Sequence, residues 1–296
     1  IDHLDVAGYN YKEHLYEDDH RRYPHKPIIG SENGHSYAAW RAVTDNVYIA
    51  GQFLWTGIDF LGECKGWPVR GSYSGHMTTA GFEKPDYYKR KSWWSDEAMV
   101  HIVTARASEG SGEWKQMYES WNYVPGEEIE VRCFTNQADP RLYLNGVLHR
   151  QEAVDSGMGF LTWNLIYEPG VLEVKAGSVS HRLESVNGPV MLEMVPYDTE
   201  EDEVLQIELY VKDEKGRVVR SDSSRICVKV EGDGELVGLD NGDLMDLTEY
   251  SASYRSAYEG RLMIYVRRTG DGAIIVTAES PCLRQSRLEY PPGDYS

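Results

Sequence analysis

No run of about eighteen consecutive apolar residues, the length a membrane-crossing helix needs, occurs anywhere in the sequence. An apolar leader with a charged flank is missing as well, so no stretch reads as a signal peptide. Positive charge is scarce: 30 Lys and Arg stand against 48 Asp and Glu, a formal net charge of −18. A surface of that sign repels phosphate backbones and anionic lipid, which removes nucleic acid and membranes from the expected partners. Acidity says little about the substrate, because solubility explains it equally well. Cysteine is sparse. Cys64, Cys133, Cys227 and Cys282 lie far apart, with no CxxC pair for zinc and no dense disulfide framework, and they read as unpaired thiols. No metal or cofactor is expected. A starting Met is absent too: Ile1 leads straight into a strand-like run over residues 4 to 11, so a fragment or processed product is the expectation. The lean towards a cytoplasmic location is correspondingly slight, since a secretion signal can have been lost.

What is present is a globular composition, 41% hydrophobic over 296 residues, enough for several modest cores. Residues 1–98 alternate short apolar runs with helical stretches, the signature of βα units around a parallel sheet. Strands are expected over residues 6–11, 27–32 and 51–59, with helices over 37–48 and from Pro85 to about Trp94. Three such units cannot close a (β/α)8 barrel, which needs eight.

From about residue 99 the apolar period becomes two. Residues 129–135 read as a strand, and Asn145-Gly146 sits between 141–144 and 147–149 as a type I′ hairpin turn. Residues 160–166 and 171–176 flank the turn Glu168-Pro169-Gly170. Residues 99–187 are therefore expected to form one β-sandwich. A second, immunoglobulin-like sandwich is expected over 188–284, with strands at 204–211, 225–230, 262–267 and 273–278. Residues 285–296, rich in Pro, Gly and charge, read as a poorly packed tail. The fold class is thus α/β plus all-β: the C-terminal part of a barrel followed by two sandwiches.

In (β/α)8 barrels the working side chains project from the C-terminal ends of the strands, a rule that selects Tyr11, Glu32, Trp55 and Asp59. Glu32 ends an apolar strand beside aromatic residues, where a carboxylate is costly unless hydrogen-bonded and is available as a nucleophile. The same glutamate placed there to cap a helix or pair with Arg41 is the competing structural reading. The residues alone do not separate the two.

The motifs Gly8-Tyr9-Asn10-Tyr11, 27–32 (Pro-Ile-Ile-Gly-Ser-Glu) and 51–63, from Gly51 through Trp55 and Asp59 to Glu63, resemble strands six, seven and eight of family 2 glycoside hydrolases. Further stretches at 81–88, 143–146, 167–170 and 239–243 are similar to the β-galactosidases of that family, so the resemblance covers almost the whole chain. It implies hydrolysis of terminal β-galactosides with retention, Glu32 being the nucleophile that forms a covalent glycosyl-enzyme. Tyr11 matches the tyrosine whose hydroxyl keeps that carboxylate ionised and oriented, with Tyr9 the fallback. Trp55 matches the floor beneath a sugar ring, against the alternative of a barrel-core tryptophan. Asp59 matches a supporting position that ties loop ends or takes a sugar hydroxyl. Asn10 and Asn33 flank the site as substrate-binding candidates, while His35 and Trp93 read as structural.

A retaining glycosidase needs a second carboxylate about 5 to 5.5 Å away as proton donor. The family carries it on strand four, and this chain begins at strand six. Glu13, Glu63 and Glu83 have no reason to face Glu32, so the isolated chain is expected to lack normal activity. The expected partners are a β-galactoside and the N-terminal portion of the same enzyme supplying the acid/base; a homo-oligomer is left open. Residues 77–81 offer no lysine of the kind glucuronidases use to grip a sugar carboxylate. Two alternatives remain. In one the chain is a binding or assembly module, with Trp114, Trp121, Trp163, Tyr118 and Tyr123 as a sugar platform or, structurally, as sandwich core. In the other it is half of a split enzyme, marked by an exposed apolar edge at residues 4–11.

Overall fold

The computed structural model describes residues 1–197 and 203–292. Three parallel strands, β1 (Ala7–Asn10), β2 (Ile28–Asn33) and β3 (Ile49–Leu54), pair in that order. Helix α1 (Tyr16–Arg22) links the first two, and α2 (Tyr37–Thr44) the second and third. Both helices cover one face, where Ala7, Tyr16, Ile28, Val43 and Ile49 form a small core. The other face and the free edge are open: Leu4, Val6 and Phe53 are 49%, 47% and 65% exposed. Within residues 4–11, Leu4, Val6 and Tyr11 are exposed, while Ala7 is buried in that small core.

Helix α3 (Pro85–Trp94) begins with Pro85 in its first turn, where the missing N–H costs nothing, and ends at Trp94, about where the sequence places its end. Helix α2 is shorter than expected. It ends at Thr44: the Asn46 amide turns to the Val43 carbonyl three residues back (3.3 Å), and the Ile49 amide then donates to the Asn46 carbonyl at 3.0 Å to close a separate turn. Strand β3 stops at Leu54 and not at Asp59. The backbone of residues 57–59 pairs instead with 76–77, through His76 N to Gly57 O (2.9 Å) and Asp59 N to Met77 O (2.8 Å).

The next part stacks two four-stranded antiparallel sheets. One holds Val154–Asp155, Leu161–Ile166, Glu128–Thr135 and Val100–Arg106; the other holds Val179–Glu184, Val171–Ala176, Arg141–Leu144 and Val147–Leu148. Ile102, Trp121, Val131, Trp163, Leu172 and Val174 fill the space between them. Asn145 (φ 52°) and Gly146 (φ 80°) both take the left-handed conformation a type I′ turn requires.

A second pair of four-stranded sheets follows. Met191–Tyr197, Val204–Lys212, Arg261–Arg268 and Gly234–Asp240 face Tyr254–Ser256, Arg225–Gly232, Ile274–Glu279 and Ser286–Tyr290. Strand Val204–Lys212 alternates buried and half-exposed side chains along its whole length, the mark of a strand with one face in a core. The expected loose tail needs correction: Ser286–Tyr290 pairs with Ile274–Glu279, because Leu288 and Tyr290 pack on the apolar core that Ile274 and Val276 present. Among the described residues no helix is long and apolar enough to cross a membrane. All four cysteines are free.

Candidate active site

Asn10 and Glu32 are partners across β1 and β2. The Asn10 Nδ2 donates to Glu32 Oε2 at 3.1 Å, and the Asn10 Oδ1 accepts from Ser31 Oγ at 3.0 Å. With its oxygen taken by the serine, the Asn10 amide can turn only its NH2 to the carboxylate. The Tyr11 amide donates to the Glu32 carbonyl at 2.8 Å. Tyr11 has φ 55°, an uncommon value for a residue with a Cβ. Lost hydration, then a hydrogen bond to Glu32 and the charge of that carboxylate, push the Tyr11 phenol up to about 12. Tyr11 is thus a proton-holding donor to Glu32 across the neutral range.

The two flanking asparagines part company. Asn33 is fully buried and turns to the helix-covered face, where Nδ2 donates to Glu13 Oε1 at 3.0 Å. Gly30 makes room for it: a Cβ there would lie 1.9 Å from Asn33 Oδ1 and 2.9 Å from the Tyr16 hydroxyl. The expectation that Asn33 binds substrate is corrected accordingly: a register shift between Gly30 and Asn33 interrupts the strand's alternation and puts Asn33 on the same face as Ile28 and Gly30. Tyr9, the fallback for Tyr11, donates to Asp19 Oδ2 at 2.7 Å on that same helix side.

Trp55 follows β3, its amide donating to Asn33 O at 3.1 Å and its ring edge-on to Phe60 at 5.7 Å. His35 Nε2 lies 2.6 Å from the Trp55 carbonyl, and its Nδ1 lies 2.9 Å from His76 Nε2. Burial lowers both imidazoles, His76 to about 3, so the pair is neutral at pH 7. The carbonyl can only accept, which assigns the proton of His35 to Nε2 and makes its Nδ1 the acceptor for His76. His35 is structural, as expected, in a specific sense: it fixes the backbone that carries Trp55. Trp93 is structural as well, donating to Gly159 O at 2.7 Å.

Asp59 is 3% exposed and ties loops together, accepting from Gly75 N at 2.8 Å and Lys84 Nζ at 2.9 Å. Burial raises its carboxyl, and the Lys84 ammonium works against that rise. Glu13 is engaged by Asn33 on the far face of the sheet. Among the described residues no carboxylate is hydrogen-bonded to Glu32, and no group of three His, Cys, Asp or Glu could hold a metal ion. The proposed aromatic platform divides: Trp121 (1% exposed) and Trp163 (3%) are sandwich core, whereas Trp114 (67%) and Tyr118 (41%) are open. A cavity of about 520 Å³ passes Asp59, Tyr73, Lys84, Trp114 and Tyr118, and a second of about 390 Å³ passes His35, Glu63, Tyr73 and Trp114. Neither Ser31 nor the His35–His76 pair is legible in the sequence; His76 comes from a stretch with no motif, brought in by the 57–77 pairing.

Residues 195–289 match the model for glycoside hydrolase family 2 C-terminal domain 5, and residues 126–179 match a domain family of unknown function. A β-galactosidase of Bacteroides ovatus is 30% identical over 262 residues, covering 84% of this chain and 29% of that protein. A putative β-glucuronidase of Formosa agariphila is 23% identical over 265 residues, covering 81% of this chain and 24% of that protein. A solved glycosyl hydrolase family 2 member from Bacteroides cellulosilyticus superposes with a TM-score of 0.88 at 27% identity, over 97% of this chain and 42% of that one. The chain thus spans under a third of the length of the curated relatives it matches.

Proposed function

Because the chain belongs to glycoside hydrolase family 2, matching the C-terminal portion of its members, we propose that it carries the nucleophile of a retaining β-glycosidase of the β-galactosidase type. One observation carries this proposal: Glu32 stands at the C-terminal end of a parallel strand with its carboxylate held by the Asn10 amide and the Tyr11 phenol. Glu32 attacks the anomeric carbon as the bond to the leaving oxygen breaks, and water then opens the glycosyl-enzyme. Tyr11 and Asn10 orient the carboxylate and favour its charged form, Trp55 underlies the sugar ring, and Asp59 holds the surrounding loops. The three parallel strands are the last strands of a (β/α)8 barrel in this proposal. The open face at Val6 and Phe53 is where the preceding polypeptide supplies the remaining strands and the acid/base carboxyl.

Galactose is favoured over glucuronic acid as the sugar because residues 77–81 present no lysine to a sugar carboxylate. The deciding experiment measures hydrolysis of aryl β-galactoside and aryl β-glucuronide by the chain alone and mixed with the polypeptide that precedes it, Glu32→Gln serving as control. Galactoside turnover in the mixture alone, lost in Glu32→Gln, supports the proposal. Failure of every mixture to turn over any aryl glycoside favours a non-catalytic binding module.

A further inference from the structure

We propose that the trench bordered by Trp114, Tyr73 and Asp59 binds a neutral saccharide as part of the substrate, a site that rests on the hydrolase function proposed above. The two cavities of about 520 and 390 Å³ share Tyr73, Asp86 and Trp114, so they form one depression between the α/β part and the sandwiches. Its near end touches His35, which holds the Trp55 carbonyl, and Glu63, whose charge acts on Tyr11. Its far end lies under Tyr118 and Tyr258. Together the cavities have the size of a small-molecule site.

Trp114 leaves a large apolar ring 67% exposed, and Tyr73 is 42% exposed. The loop that presents Trp114 is anchored on both sides. Glu113 Oε1 accepts from Tyr37 N at 3.0 Å, and Lys115 Nζ, whose side chain is fully buried, donates to Glu130 Oε2 at 2.7 Å. A loop held in this way need not be ordered when a ligand stacks on the ring it presents, which limits the entropy lost on binding. Asp59 supplies the second observation. Its side chain is 1% exposed, and its Oδ2, buried in the wall of the larger cavity, has no hydrogen-bond partner. A buried acceptor left unpaired costs free energy that a ligand hydroxyl recovers. An open aromatic face and a buried acceptor lining one cavity are the chemistry that takes the C–H face and the hydroxyls of a sugar.

The cations that line the larger cavity, where Trp114 and Asp59 lie, point to a neutral ligand there. Lys84 is paired with Asp59, Lys89 with Asp86, Lys115 and Arg132 with Glu130, and Arg261 with Glu259. Each cation of the larger cavity thus has a carboxylate partner, and the exposed Lys65, at the smaller cavity, is the one lining cation among the described residues without an ion pair.

Isothermal titration of the chain with β-1,4-galactotetraose, cellotetraose and a glucuronate-bearing disaccharide tests this site. At least one neutral tetrasaccharide is expected to bind with Kd near or below about 1 mM. Trp114→Ala should weaken binding by at least about tenfold, Trp114→Phe should retain most of it, and Glu32→Gln should bind like the parent. Circular dichroism checks that each variant folds. Absence of heat with both neutral sugars, preference for the glucuronate, or no loss in Trp114→Ala overturns the site. Loss in Glu32→Gln with Trp114→Ala unaffected places the sugar at Glu32, overturning the trench while leaving the hydrolase proposal intact. Trp114-dependent binding in a mixture that never hydrolyses a glycoside leaves the trench standing without that proposal.

Discussion

The Asn10 side chain, one strand away from Glu32, gives its Nδ2 proton to Glu32 Oε2 at 3.1 Å while Ser31 occupies its oxygen. The carboxylate therefore has a fixed donor in the Asn10 amide, and its hydrogen bond and charge act on the Tyr11 phenol as well.

In the complete enzyme, Tyr11→Phe is expected to lower kcat by about ten- to hundredfold, the size of one hydrogen bond to a charged group, with little change in KM. The Tyr11 phenol lies near 12, so it stays protonated at neutral pH and any alkaline limb below about pH 10 belongs to another group. A pH profile of kcat for parent and variant checks both points: a limb near neutrality that vanishes in Tyr11→Phe would show the phenol titrating there.

Acid should weaken the joint between the sandwiches through Glu119. Burial opposes its charge, but His101 Nε2 at 3.1 Å and Arg220 Nη2 at 2.8 Å outweigh burial and hold the carboxyl near 2, below its ordinary 4.5. A carboxyl depressed on folding contributes stability that is complete above about pH 4.5 and is lost as pH falls towards 2. Thermal melts across that window should show a steeper loss for the parent than for Glu119→Gln. At pH 7 the variant should be less stable by about 1 to 3 kcal/mol, because Arg220 loses its partner.

Arg90 is 7% exposed, and none of its three guanidinium nitrogens has a hydrogen-bond partner. It stacks over Trp40 at 4.1 Å and lies 5.5 Å from the Trp94 ring, and burial lowers its pKa to about 10. Ring contacts of about 0.5 to 2 kcal/mol do not offset several kcal/mol of lost hydration. Arg90→Leu is expected to raise the melting temperature of the isolated chain by a few degrees, about 1 kcal/mol or more. A lower melting temperature would mean that the aromatic cage outweighs desolvation.

The uncovered edge and face at Leu4, Val6 and Phe53 should make the isolated chain self-associate as concentration rises. Sedimentation analysis should show Val6→Lys shifting the chain towards monomer. Identical association of parent and variant would place the contact elsewhere.

Local chemistry made much of this chain legible. Pro85 opened α3, Asn145-Gly146 turned a hairpin in I′ geometry, and the alternation in 204–212 put one strand face in a core. Glu32 and Tyr11 could be singled out because each sits at a strand end, a position that sequence periodicity reports. The faces at those ends were decided only in three dimensions. Register shifts between β1 and β2 and between β2 and β3 brought Ser31 and Glu32 to Asn10 and sent Asn33 inward, an outcome that depends on pairing partners and not on residue type. Trp114 and Trp121 are the same residue type seven positions apart, one open and one core, because a loop anchored at Glu113 and Lys115 carries the first, while the packed sheets close over the second. Propensity and pattern act over a few residues and fixed the elements; long-range pairing fixed which side chains meet.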